Sequence, residues 1–180
     1  MRIKNVRPKY QRRFTAVRWG LFMLMAFVFF IISGTGSFVK PLLLLPVAVC
    51  ISINENEIIS ACTGAVCGLL TDILCGRIFG FNAILFVIFC VMTSLLFVHY
   101  LRRNIVNAVL VTAASAFLQG LTDYILSYYI WNSADVSVIY TSTILPSCIM
   151  TSLSAVIIYP LIRAIRFRFT PERFQYSIDL

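Results

Sequence analysis

Six long apolar stretches follow one another along this 180-residue chain, with short polar segments between them. A helix rises about 1.5 Å per residue, so about 20 apolar residues are needed to cross a bilayer core about 30 Å thick. Charged residues make up only 12% of the chain, whereas a soluble domain carries about 25%. The pattern therefore excludes a soluble enzyme and predicts an all-α, polytopic membrane protein with six transmembrane helices.

The predicted spans are the apolar stretches that contain no group of charged residues. Their bounds are Trp19–Val39, Pro41–Asn54, Ile58–Leu74, Phe81–Leu101, Ile105–Ile130 and Tyr140–Ile162. The second span contains Pro46 and would extend only about 21 Å as a helix, so we expect it to fall short of the full core. The chain then divides into a basic N-terminal segment (1–18), a six-span transmembrane domain (19–162) and a basic C-terminal tail (163–180).

The distribution of Lys and Arg orients these spans, because cytoplasmic segments normally keep most of the cations. If all six spans cross, 13 of the 15 Lys and Arg residues lie inside, and only Lys40 and Arg77 lie outside. If the second span does not cross, the split becomes 8 to 7. The sequence therefore predicts six crossings with both termini cytoplasmic. The basic termini are expected to attract anionic lipids, which explains the net charge of +8 without nucleic acid as a partner.

A four-residue repeat of mostly small residues begins in the third span and continues into the turn that follows it. Its members are Ser60, Gly64, Gly68, Asp72, Gly76 and Gly80. Residues four apart lie on one side of a helix, and small side chains there allow another helix to approach closely. The repeat therefore predicts a helix-packing surface. The neighbouring helix belongs either to this chain's own bundle or to a partner.

Asp72 is the charged member of this repeat. A carboxylate costs about 2.5 to 3.5 kcal/mol at the centre of a span and less near the interface, so Asp72 needs a partner or a proton. Either it pairs with Arg77, or it caps polar backbone in the following turn. The residues that precede Asp123 in span five weakly resemble those that precede Asp72. Asp123 lines a shared cavity with Asp72 or lies exposed at the interface, and we favour exposure.

Motifs of several enzyme classes are missing from the sequence, including G-x-S-x-G, H-E-x-x-H and the Gly-rich phosphate-binding loop. The single histidine, His99, is placed near the inner end of span four, where an interfacial role is expected. The six cysteines lack the spacing of a zinc site and are interpreted as small apolar side chains. We therefore expect no catalytic residues, metal or cofactor.

Residues 68–83 resemble the rod shape-determining protein family MreD. They contain a Gly-Leu-x-x-Asp helix end at Gly68 to Asp72, a glycine-containing outer turn, and a small-residue start to the next span, which includes Asn82. Chain length, span number and the short proline-containing second span agree with this family. The resemblance implies a non-enzymatic component of the cell-elongation machinery, or elongasome, in the bacterial cytoplasmic membrane.

The resemblance also implies partners. These are MreC, a single-span protein with an outer coiled coil, and, through it, the glycosyltransferase RodA, its class B penicillin-binding transpeptidase and the MreB filaments. Members of the family look like the six-helix S components of energy-coupling factor transporters, so an S component that binds a vitamin or metal ion is the alternative function. Span one argues against it, because Gly20 to Phe30 contains only one alanine, whereas many S components dock through an Ala-x-x-x-Ala surface. A lipid-handling protein is a third possibility.

Overall fold

The computed structural model describes residues 8–35, 42–76, 79–125 and 145–169. Within these ranges the regular secondary structure is helical and no strand occurs. The helices are α1 Pro8–Thr35, α2 Leu44–Ser52, α3 Glu57–Cys75, α4 Phe81–His99, α5 Ile105–Tyr124 and α6 Leu145–Phe169. The prediction of an all-α protein is confirmed for the described residues.

Five of these helices are long and apolar enough to cross a membrane. The exception is α2, whose nine residues extend only about 14 Å. Pro46 lies in its first turn, where a residue without a backbone N–H is tolerated, and the chain turns towards α3 directly after Ile53. The prediction of six spanning helices is therefore corrected to five helices of spanning length and one short helix among the described residues.

The short helix α2 occupies the centre of the bundle. All nine of its residues are buried, and it contacts each of the other five described helices. Its side chains are apolar around the whole circumference, which is typical of a helix surrounded by protein. Its one hydroxyl, on Ser52, donates a hydrogen bond to the Ala48 carbonyl at 2.9 Å. The other helices therefore pack around α2 as their common core.

Three contacts show which helix ends lie together. Arg18, two residues after the start of the apolar part of α1 at Ala16, forms an ion pair with Glu55 in the α2–α3 turn, at 3.1 Å. The Ser94 hydroxyl near the end of α4 donates to the Glu55 carbonyl at 2.9 Å, and the Tyr159 hydroxyl of α6 donates to the Arg103 carbonyl at 3.0 Å. We call this side of the bundle the arginine end. Odd-numbered helices run away from it and even-numbered helices return, so α2 runs in the direction that the predicted topology requires.

Two helices extend beyond the predicted spans. The first begins at Pro8, inside the predicted N-terminal segment, and α6 continues past Ile162 to Phe169. Helices need not stop at the interface, because long arginine side chains reach the polar region from a helical backbone. The predicted end of span five and start of span six lie within residues 126–144, outside the described residues.

The orientation of the bundle is open to direct measurement. Single cysteines placed at Ser37, Ser133 and Asn104, in a background with the six native cysteines removed, should react differently with a membrane-impermeant thiol reagent. We expect positions 37 and 133 to be labelled from outside and position 104, which follows α4 at the arginine end, to be protected in intact cells. Labelling of position 104 together with protection of position 37 would overturn the predicted orientation.

Candidate functional site

The backbones of α3 and α4 touch at two glycines. A Cβ atom added at Gly64 would lie 2.7 Å from the Phe86 carbonyl oxygen, and one added at Gly68 would lie 2.7 Å from the Ala83 backbone nitrogen. Both distances are shorter than real Cβ atoms show. The small-residue side of α3 at these positions is therefore occupied by a helix of the same chain.

The other small members of the repeat have different surroundings. Ser60 is buried, and its hydroxyl points to the Ser52 carbonyl of α2 at 3.5 Å. Gly76 and Gly80 have positive φ angles of 61° and 96°, and a Cβ atom at either would meet nothing within 4 Å. These two glycines provide the left-handed backbone that ends α3 and begins α4. The repeat thus combines packing positions within α3 and turn positions beyond it.

Asp72 is buried, with 1% of its surface exposed. Its carboxylate accepts hydrogen bonds from the backbone N–H groups of Gly80, at 2.8 Å, and Asn82, at 3.0 Å. These donors lie at the start of α4, where N–H groups have no partner within the helix and negative charge is favourable. Of the two partners considered for Asp72, the structure shows the backbone of the following turn. Arg77 lies outside the described residues.

A side-chain hydrogen bond extends this arrangement to α5. The Gln119 amide nitrogen donates to the Asn82 side-chain oxygen, and both residues are almost fully buried. Among the described residues, the buried Gln119 amide oxygen has no hydrogen-bond partner. We call Asp72, Asn82 and Gln119 the buried polar cluster. It connects α3, α4 and α5 at the end opposite to the arginine end, although α4 and α5 contact each other only sparsely.

Sequence reasoning singled out Asp72 and Asn82 but missed Gln119. The available signal was that Gln119 is the only glutamine within the predicted spans. Polar residues in a membrane helix face protein or water and find a partner there. That rule would have marked Gln119 as a residue that faces the bundle, but it does not name Asn82 as the partner.

Asp123 and the cysteines have less defined roles. Asp123 is half-exposed near the end of α5 and acts electrostatically on the Cys148 thiol of α6. Exposure of Asp123 at the interface, which the sequence favoured over a cavity shared with Asp72, stays a prediction. None of the six cysteines forms a disulfide within the described residues, and three of them (Cys50, Cys67 and Cys90) are buried in the apolar core. Within the described ranges, no three His, Cys, Asp or Glu side chains are grouped as metal ligands would be.

The family comparison covers nearly the whole bundle. A family model described as rod shape-determining protein MreD matches residues 10–167, a range that runs from the first turn of α1 almost to the end of α6 and includes the buried polar cluster. Neither a curated protein nor a solved structure gives a significant match. The resemblance recognised at residues 68–83 is thereby confirmed. Together, the helical membrane architecture and the family match show that the chain belongs to the MreD family of rod shape-determining proteins.

Proposed function

We propose that the protein is a non-enzymatic component of the bacterial cell-elongation machinery that binds an MreC-like single-span protein and helps to regulate peptidoglycan synthesis. The observation that carries the proposal is the family match over residues 10–167, since the family is one of shape-determining membrane proteins. Through that partner the protein would influence RodA and its class B penicillin-binding transpeptidase beneath the MreB filaments. It would reside in the cytoplasmic membrane with both termini in the cytoplasm.

The packing of α3 restricts how such a partner could bind. Because α4 backbone lies against Gly64 and Gly68, a partner helix cannot use these two positions without displacing α4. We therefore propose that Ser60, Gly64 and Gly68 serve packing within the chain and that a partner uses the outer surface of the bundle or its turns. A membrane protein that consists mostly of helices contacts its partners through the outer faces of those helices and through its turns.

The buried polar cluster has a supporting role in this proposal. Two backbone hydrogen bonds hold the Asp72 carboxylate against the start of α4, and the Asn82–Gln119 pair holds α5 beside it. Hydrogen bonds in the low-dielectric interior of a protein are stronger than in water, so these contacts help to hold the three helices together. Gly76 and Gly80, the described residues on either side of this turn, would then be held in place for contact with a partner.

Depletion and co-purification test the proposed function. Depleting the protein in a rod-shaped host should make the cells round, and the tagged protein should co-purify with an MreC-like protein from detergent-solubilised membranes. Re-expression of the wild-type chain should restore cell width, which controls for effects on neighbouring genes. If depleted cells stay rod-shaped while uptake of a vitamin or metal ion collapses, the S-component function replaces the proposed one.

A further inference from the structure

At the arginine end, the charges of Arg103 and Arg166 act near the Arg18–Glu55 ion pair. Arg18 pairs with Glu55 at 3.1 Å, with side chains only 15% and 9% exposed. Arg166 of α6 is half-buried, and the charges that act on it are those of Glu55, Arg103 and Arg18. We call Arg18, Arg103 and Arg166 the arginine cluster. Among the described residues of this cluster, one carboxylate is set against three guanidinium groups, so their positive charge is in excess.

Several N–H groups of the cluster lack an acceptor. The Nε atom of Arg18 and the Nε and Nη1 atoms of Arg166 are buried and have no hydrogen-bond partner within the described residues. Buried donors on a charged group are costly when they are left unpaired. The guanidinium group is a planar fork of donors that matches the oxygens of a phosphate or carboxylate. The cluster therefore has both the charge and the free donors for an oxyanion.

The position of the cluster indicates where that oxyanion comes from. It is formed by α1, the α2–α3 turn, the α4–α5 turn and α6, and in α1 it lies near the start of the apolar segment Ala16–Thr35. The Tyr159 hydroxyl holds the Arg103 carbonyl at 3.0 Å, so the α4–α5 turn is fixed against α6. Basic pockets between transmembrane helices at the membrane surface suit the headgroups of anionic lipids.

We propose that the arginine cluster binds a phosphate group, that of an anionic phospholipid headgroup in the leaflet at the arginine end. Arg166 and Arg18 donate to the phosphate oxygens, and Arg103 adds positive charge. Glu55 takes up part of the charge of Arg18 and limits how strongly the anion is held. The proposal does not depend on the function proposed above, because it concerns lipid binding by the chain alone.

Lipid titration of the purified full-length protein tests this proposal. Native mass spectrometry in detergent would measure binding of phosphatidylglycerol and of zwitterionic phosphatidylcholine. We expect wild type to prefer phosphatidylglycerol and Arg166→Gln to weaken its binding about tenfold, the loss of at least one charge-assisted hydrogen bond. Arg168→Gln is the matched control, because Arg168 is exposed on the same helix and should bind as wild type does. Equal affinities of the Arg166→Gln variant and wild type would overturn the proposal.

A second variant predicts the opposite change. Glu55→Gln removes the competing carboxylate but keeps the carbonyl that accepts from Ser94, so phosphatidylglycerol should bind more tightly. Weaker binding by a variant that melts like wild type would contradict the proposed site, as would equal binding of the two lipids by wild type.

Competition with millimolar inorganic phosphate distinguishes the two possible sources of the phosphate group. If it leaves the lipid bound, the phosphate of the headgroup is the ligand; if it displaces the lipid and binds in its place, the same phosphate site takes a soluble ligand.

Discussion

Replacing Gly68 with alanine should lower the free energy of unfolding of the bundle by about 1 to 3 kcal/mol, the usual cost of overpacking, and replacing it with leucine should cost more. The added Cβ atom would collide with the Cα atom of Ala83 and would lie 2.7 Å from its nitrogen. These are backbone atoms of α4, so no side-chain rotation can relieve the overlap. The helices have to move apart, and the α3–α4 interface loses the contacts on both sides of the glycine.

Gly20 provides the control for this experiment. A Cβ atom added there would meet nothing within 4 Å, and alanine is a better helix former than glycine by about 0.8 to 1 kcal/mol. Gly20→Ala should therefore be neutral or stabilising. Melting in detergent, followed as the fraction of protein that stays monodisperse after heating, would compare the variants. Equal melting temperatures for the Gly68→Ala and Gly20→Ala variants would show that α3 and α4 do not approach closely at Gly68.

Replacing Asp72 with asparagine should destabilise the α3–α4 turn by about 1 to 3 kcal/mol, the cost of a buried donor left without its acceptor. Both carboxylate oxygens of Asp72 accept a backbone N–H, whereas asparagine offers one oxygen and an NH₂ group that would face the second donor. Glu57→Gln is the control, because it removes a carboxylate from an exposed position on the same helix and should have little effect on melting.

The same variant separates folding from recognition. Losing a charge lowers the cost of membrane insertion, so reduced abundance of Asp72→Asn would reflect instability after insertion. If Asp72 serves recognition, the Asn variant should insert and accumulate normally, yet fail to co-purify with the partner or to maintain cell width. The hydrogen bonds of Asp72 favour the structural outcome. An Asn variant with normal melting, abundance, co-purification and cell width would exclude both roles.

At the contact between α3 and α4, the sequence pattern predicts the kind of contact but not the partner helix. The four-residue spacing of Gly64 and Gly68 predicts that some helix approaches closely there, because small residues on one helix side leave room for a backbone. It does not name α4, since the spacing describes only one of the two surfaces. For Asp72, the sequence left a choice between a cation and the turn backbone. The left-handed conformations of Gly76 and Gly80 bring the N–H groups of the turn within reach of the carboxylate.

Other residues of the candidate sites could not be paired from the sequence. Gln119 and Asn82 are 37 positions apart in the chain, and Arg18 and Glu55 belong to different helices and turns. A polar residue in an apolar span signals that it needs a partner, but many residues could satisfy that need. The choice depends on the relative rotation and axial shift of helices, which hydropathy does not encode.

The sequence by itself determined that the chain forms apolar helices of spanning length, because a bilayer leaves no water to bond exposed backbone groups and each segment must satisfy its own. It also indicated that the second span is short. Only the tertiary structure decided that α2 lies at the centre, in contact with every other described helix, that α4 covers Gly64 and Gly68, and that Arg18 of α1 pairs with Glu55. The reason is that apolar runs are as compatible with lipid as with protein, so helix neighbours are chosen by shape complementarity and a few polar contacts between distant parts of the chain.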